Sequence, residues 1–129
     1  MKLIFFILLS FQTIAQDIVW TNNTPLIRSY SSPRTTDLNN DGISDMVIGG
    51  GVDGFPSPYG VIAIDGFNGN TIWTLSTRNE MFASPQFFDY NGDNTDDVII
   101  AGRDAELRLI NGSTGELIWE FWDSNDENF

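Results

Sequence analysis

The chain has no cysteine and no histidine, and its only lysine is Lys2. Without imidazole or thiol there is no Ser-His-Asp or Cys-His nucleophile and no zinc site built on those ligands. Without a further lysine there is no Schiff-base amine and no P-loop lysine. Cations are scarce altogether: six Lys plus Arg stand against eighteen Asp plus Glu, a formal charge of −12. That balance excludes the basic footprint of a protein that grips nucleic acid or an anionic membrane. Long apolar runs are missing too. The longest, residues 3–11, falls far short of the ~20 residues that a membrane span needs. What chemistry remains rests on carboxylates, hydroxyls, backbone and bound metal, and no catalytic role is expected.

Residues 1–15 read as a secretory signal peptide. Lys2 supplies the cation, residues 3–11 the apolar run, and Thr13 and Ala15 the small residues that precede cleavage after Ala15. The expected location is extracellular or periplasmic. No cysteine follows the cleavage point to carry a lipid, and an exported chain without disulfides must be stabilised in another way.

The rest, residues 16–129, repeats itself. SPRTTDLNNDGISDMVIGG (32–50) realigns with SPQFFDYNGDNTDDVIIAG (84–102), and AIDGFNGNTIW (63–73) with LINGSTGELIW (109–119). Between these blocks the first copy carries a Gly/Pro-rich insert, 49–60, read as a spacer exposing Phe55 and Tyr59. Short β-branched and aromatic runs at 46–48, 61–64, 71–75, 98–101, 107–110 and 117–121 predict strands bounded by Gly, Asn and Asp. With the runs after Pro33 and Pro85, each unit has four strands, and no 3.6-residue apolar period of helix length occurs. Four strands in ~40–50 residues is the period of a β-propeller blade. The expected fold is therefore all-β, with two four-stranded blades over about 32–76 and 84–121. Residues 17–23, which resemble only the last strand of a unit, are expected as an N-terminal closing strand. Closed propellers have roughly four to eight blades, so the rest of the ring is expected from further sequence.

Two acidic loops, DLNNDGISD (37–45) and DYNGDNTDD (89–97), place oxygen side chains at positions one, three, five and nine. These are Asp37, Asn39, Asp41 and Asp45, then Asp89, Asn91, Asp93 and Asp97. Calcium takes six to eight hard oxygen ligands, and the backbone carbonyls of Ile43 and Thr95 at position seven would complete each set. Gly42 and Asn94 suit the sharp turn at position six. Three like charges crowded in each loop repel unless a cation compensates them. An EF-hand would need a Glu at position twelve, where the chain has Ile48 and Ile100. The plainer alternative is that these residues form polar hairpin turns. Asp96 and Glu106 read as solvated charges.

In these loops the sequence resembles the FG-GAP or VCBS-type repeats of integrin α-chain propellers and many secreted bacterial proteins. The resemblance implies blades with structural calcium, about two sites here, and a role in binding or adhesion to a protein or glycan. AIDGFNGNTIW is similar to the AxDxxTGxxxW motif of quinoprotein-like (PQQ-type) blades, matching at Ala63, Asp65, Gly69 and Trp73; the second copy keeps Thr114, Gly115 and Trp119. Asp65 or Asn111 can bond its own turn, Gly69 or Gly115 can take the left-handed position of a hairpin bulge, and Trp20, Trp73 and Trp119 read as wedges between units. Two other functions stay open: part of a carbohydrate-active propeller enzyme using paired carboxylates, and a periplasmic quinoprotein-like scaffold.

Overall fold

The computed structural model describes residues 18–24 and 28–123, so the signal peptide expected over 1–15 lies outside the described residues. The elements are β1 (Arg34–Thr36), β2 (Asp45–Gly49), β3 (Ser57–Ile64), β4 (Thr71–Thr77), β5 (Gln86–Phe88), β6 (Asp97–Ala101), β7 (Leu107–Ile110) and β8 (Leu117–Phe121). Strands β1 to β4 form one antiparallel sheet in chain order, and β5 to β8 form another. Among the described residues there is no helix, and hence none long and apolar enough to cross a membrane.

The two sheets follow one plan. Val47 pairs with Arg34 on one side and Ala63 on the other; Ile99 pairs with Gln86 and Leu109 in the same way. Strand β2 alternates buried and half-buried residues, the period-two signature of a pleated strand. In β3 the alternation disappears, because residues 60–64 are buried on both faces. The last hairpin of each sheet has a register shift at the same place, between Ala63 and Ile64 and between Leu109 and Ile110.

Two expectations need correction. The insert over 49–60 is not all spacer: β3 begins at Ser57, which pairs with Thr77, and Tyr59 lies half-buried on that strand while Phe55 is exposed. Residues 18–24, expected to be most of a strand over 17–23, join no ladder. Side chains hold them instead: the Trp20 indole donates to the Gly66 carbonyl, and Asn22 Nδ2 donates to the Gly69 carbonyl.

One core joins the sheets. Leu38, Val47, Val61, Ala63 and Trp73 from the first unit pack with Met81, Val98, Ile100 and Ile110 from the connection and the second. Burying each large aliphatic side chain contributes about 1.5–3 kcal/mol. Farther out, a charged network spans the units. Arg108 on β7 is paired with buried Glu106 and donates to the Ser76 carbonyl of β4; Arg78 grips Glu120 on β8 with both terminal nitrogens at 2.8 and 2.7 Å. Glu106, expected to be solvated, is buried, and its Oε2 has no hydrogen-bond partner among the described residues. Asp96 is half-buried and accepts from Thr36 Oγ1.

Candidate metal centre

Both acidic loops connect the first two strands of their sheets, and their hydrogen bonds correspond. In the first, Asp37 Oδ1 and Asn39 Oδ1 converge on the single amide of Asp41, at 3.2 and 3.0 Å. In the second, Asp89 Oδ1 and Asn91 Oδ1 converge on the amide of Asp93, at 3.2 and 2.8 Å. The other oxygen of Asp37 accepts from Gly42, and that of Asp89 from Asn94. Asp41 accepts from Ile43 and Asp93 from Thr95, each at 2.8 Å. Positions one, three and five are thus brought together around one amide in each loop.

The backbone makes this possible by turning left-handed twice. At position six Gly42 has φ +85° and Asn94 +67°, as the sequence suggests; at position four Asn40 has φ +59° and Gly92 +79°. Gly and Asn trade places between the loops, and these are the two residue types that tolerate the left-handed region best.

Position nine behaves differently. Asp45 and Asp97 are fully buried at the start of β2 and β6. Asp45 accepts from Leu38 with one oxygen and from Gly66 with the other, both at 2.9 Å. Asp97 accepts from Tyr90 and Asn91 with one oxygen and from Gly112 with the other. Each therefore fastens its loop to the turn between the third and fourth strands. That turn is built as expected: Asp65 accepts from Phe67 and Asn68, Asn111 accepts from Thr114, and Gly69 and Gly115 take φ +77° and +75°.

The loops also touch each other, a relationship the sequence does not signal. Asn40 Nδ2 donates to Thr95 Oγ1 at 3.0 Å, beside the Thr36–Asp96 bond. Thr95, expected to contribute its carbonyl at position seven, is buried by this contact, whereas Ile43 at the same position is exposed.

The donor set is chemically that of a hard cation: three carboxylates and an amide oxygen per loop, no nitrogen or sulfur ligand. Asp89 Oδ1 and one oxygen of Asp97 each accept two amides, while the other loop carboxylate oxygens accept no more than one hydrogen bond and keep a lone pair. Among the described residues, however, no three or more carboxylates gather closely enough to form a metal-holding cluster. Within each loop, backbone amides partly offset the negative charge.

No protein-family model, curated protein or solved structure matches the chain.

Proposed function

We propose that this is a secreted, calcium-binding protein of FG-GAP/VCBS-type propeller repeats that acts as a binding or adhesion module for a protein or glycan. In this reading the two sheets are adjacent blades, and each acidic loop holds one calcium ion. The observation that carries it is the doubled convergence of Asp37 with Asn39, and of Asp89 with Asn91, on one amide. A turn needs only one of those acceptors; two side-chain oxygens aimed at one point leave lone pairs free for a cation. Asp37, Asn39, Asp41 and Asp45 would hold the first ion with the Ile43 carbonyl. Asp89, Asn91, Asp93 and Asp97 would hold the second with the Thr95 carbonyl.

Calorimetric titration of the EDTA-treated protein tests it, with about two sites per chain expected. A calcium concentration one hundredfold above Kd adds about 2.7 kcal/mol to stability. Magnesium stabilises less, because it sheds water reluctantly and demands a stricter octahedron. Asp41→Ala and Asp93→Ala each remove one site. A melt indifferent to EDTA and no heat at millimolar calcium reduce the loops to turns. The binding role itself is tested on glycan and protein arrays.

A further inference from the structure

At the end of β2 opposite its acidic loop lies a cleft of about 270 Å³ lined by charges of both signs. One wall carries Arg28 and Tyr30, the other Glu80 and Arg103, and the β2–β3 connection at Gly51 and Asp53 lies between them. The two walls are tied in the same way. The Gly51 amide donates to the Arg28 carbonyl at 3.0 Å, and the Arg103 amide to the Glu80 carbonyl at 2.9 Å. Gly51 keeps the floor bare: its φ is +120°, and an added Cβ would stand 3.0 Å from the Glu80 Cα. Neither β8 nor residues 18–24 take part in this cleft.

Arg103 is held there with its fork unused. Its Nε donates to Glu80 Oε2 at 3.2 Å, and its guanidinium lies over the Phe82 ring, 5.1 Å from the centroid. Its two terminal nitrogens have no hydrogen-bond partner among the described residues. Glu80 is 1% exposed, and its Oε1 is likewise unpartnered among them. Buried Asn79 fixes the frame: its Oδ1 accepts the amides of Gly54 and Glu80, and its Nδ2 donates to Asp104. The turn it holds puts Asp104 at φ +56° and Ala105 at +50°, which residues with a Cβ avoid. Strain of this kind collects at ligand clamps.

We propose that this cleft binds the uronate unit of an acidic glycan. A free guanidinium fork takes a carboxylate with two parallel hydrogen bonds. Arg28, which pairs with no described carboxylate, adds a second cation. Glu80 and Asp53, the latter 3.8 Å from Arg103 Nε, offset these two charges. A bare anion therefore gains little, and the ligand must also bring donors to the two carboxylates. A sugar acid carries both on one rigid ring: a carboxylate for Arg103, and hydroxyls for Glu80 Oε1 and Asp53. Exposed Tyr30 offers its ring to the C–H face of the sugar. An acidic side chain of a protein partner brings the carboxylate without the hydroxyls. The inference narrows the binding role proposed above and rests on it, but not on calcium, whose loops lie at the other end of β2 and β6.

Amide NMR titration of the purified protein, in calcium and in EDTA, tests it. The probes are sodium glucuronate and galacturonate, with glucose, acetate and a glutamate-containing peptide as controls. The expected result is a saturable shift of the Gly51, Glu80 and Arg103 amides by a uronate, with Kd on the order of 1 mM. Each control binds at least about tenfold more weakly, the worth of one charge-assisted hydrogen bond. Arg103→Lys keeps the charge but loses the fork, and weakens uronate binding by about tenfold or more. If that variant does not melt cooperatively, Arg28→Gln, at an exposed and unpaired position, takes its place. Amides unmoved at about 50 mM uronate overturn the proposal, as does uronate binding that survives these substitutions, or acetate or the peptide binding as tightly. Uronate binding by a protein indifferent to calcium upholds the cleft and sinks only the metal sites. Capture of a neutral glycan with uronate ignored keeps the binding role and sinks the cleft.

Discussion

Asp45 accepts the Gly66 amide at 2.9 Å, and through this bond the acidic loop of the first unit is fixed to its tryptophan turn. Asp97 and Gly112 repeat the bond at 3.1 Å. Gly66 and Gly112 supply the carbonyls that hold Trp20 and Trp73. One buried carboxylate in each unit therefore sets both the loop and the surface on which a tryptophan docks.

Removing that carboxylate strands several buried amides. Asp97→Ala leaves those of Tyr90, Asn91 and Gly112 without their acceptor. Hydrogen bonds to charged groups contribute about 1.5–3 kcal/mol each, so the loss of all three is expected to cost at least about 4.5 kcal/mol in urea denaturation. Asp97→Asn retains one oxygen but turns an NH2 toward amide donors, and about half that loss is expected. Equal melting of Asp97→Ala and the unaltered protein would show that the carboxylate does not organise the turn.

A methyl group at the glycine beneath Trp73 should be costly for two reasons. Gly115→Ala forces alanine to φ +75° and sets its Cβ 2.6 Å from the ring. The backbone strain alone costs about 1–2 kcal/mol, and moving the ring disturbs the core as well. Gly54→Ala separates the effects: φ is +81°, but nothing lies within 4 Å of its Cβ. The expected order of melting temperatures is unaltered protein, Gly54→Ala, then Gly115→Ala, with tryptophan emission red-shifted only in the last.

The strands and turns were legible because their signals are local. The β-branched run at residues 46–48, Gly42 or Asn94 at loop position six, and Gly69 and Gly115 before a Trp strand each dictate their own backbone. Long-range contacts left no such mark. Leu38 sits in a polar loop whose sequence does not mark it as core, yet it is 1% exposed and packs in the core shared with the second unit; Tyr90 at the same loop position is 56% exposed. Glu106 reads as a surface charge, because its burial depends on Arg108 folding back over it and on Arg78 of the other unit. Likewise nothing near residue 40 announces that its partner is Thr95.

The Glu106–Arg108 pair should behave as a buried ion pair. Arg108→Met leaves the Glu106 carboxylate, 1% exposed, with Arg78 at 3.6 Å as its nearest cation. Breaking such pairs costs about 3–5 kcal/mol, whereas replacing both partners by apolar residues is often neutral. Glu106→Leu with Arg108→Met should therefore recover most of the loss, helped by removal of the unpartnered Oε2. A double-mutant cycle by chemical denaturation checks this; additive losses would contradict it.

Glu120 provides a contribution to stability that acid should remove in a defined direction. Its two oxygens take the forked hydrogen bonds of Arg78, and these, together with the charges of Arg78 and Arg108, hold its carboxyl below the usual glutamate range despite some desolvation. A carboxyl whose folded pKa lies below its unfolded value of about 4.3 stabilises fully above that value and loses the contribution as pH falls through the folded one. Both side chains are partly solvated, at 30% and 42% exposure, so the pair contributes at most about 1 kcal/mol. Glu120→Gln should melt slightly below the unaltered protein at neutral pH. The gap should narrow as pH drops below the ordinary glutamate value and close in stronger acid. High salt should shrink it at neutral pH, because a solvated pair is screened. Melting curves of the two proteins across that acid range, in low and high salt, measure the gap directly. A gap that widens toward acid would mean that the carboxyl is held above its ordinary range and that Arg78 does not grip it.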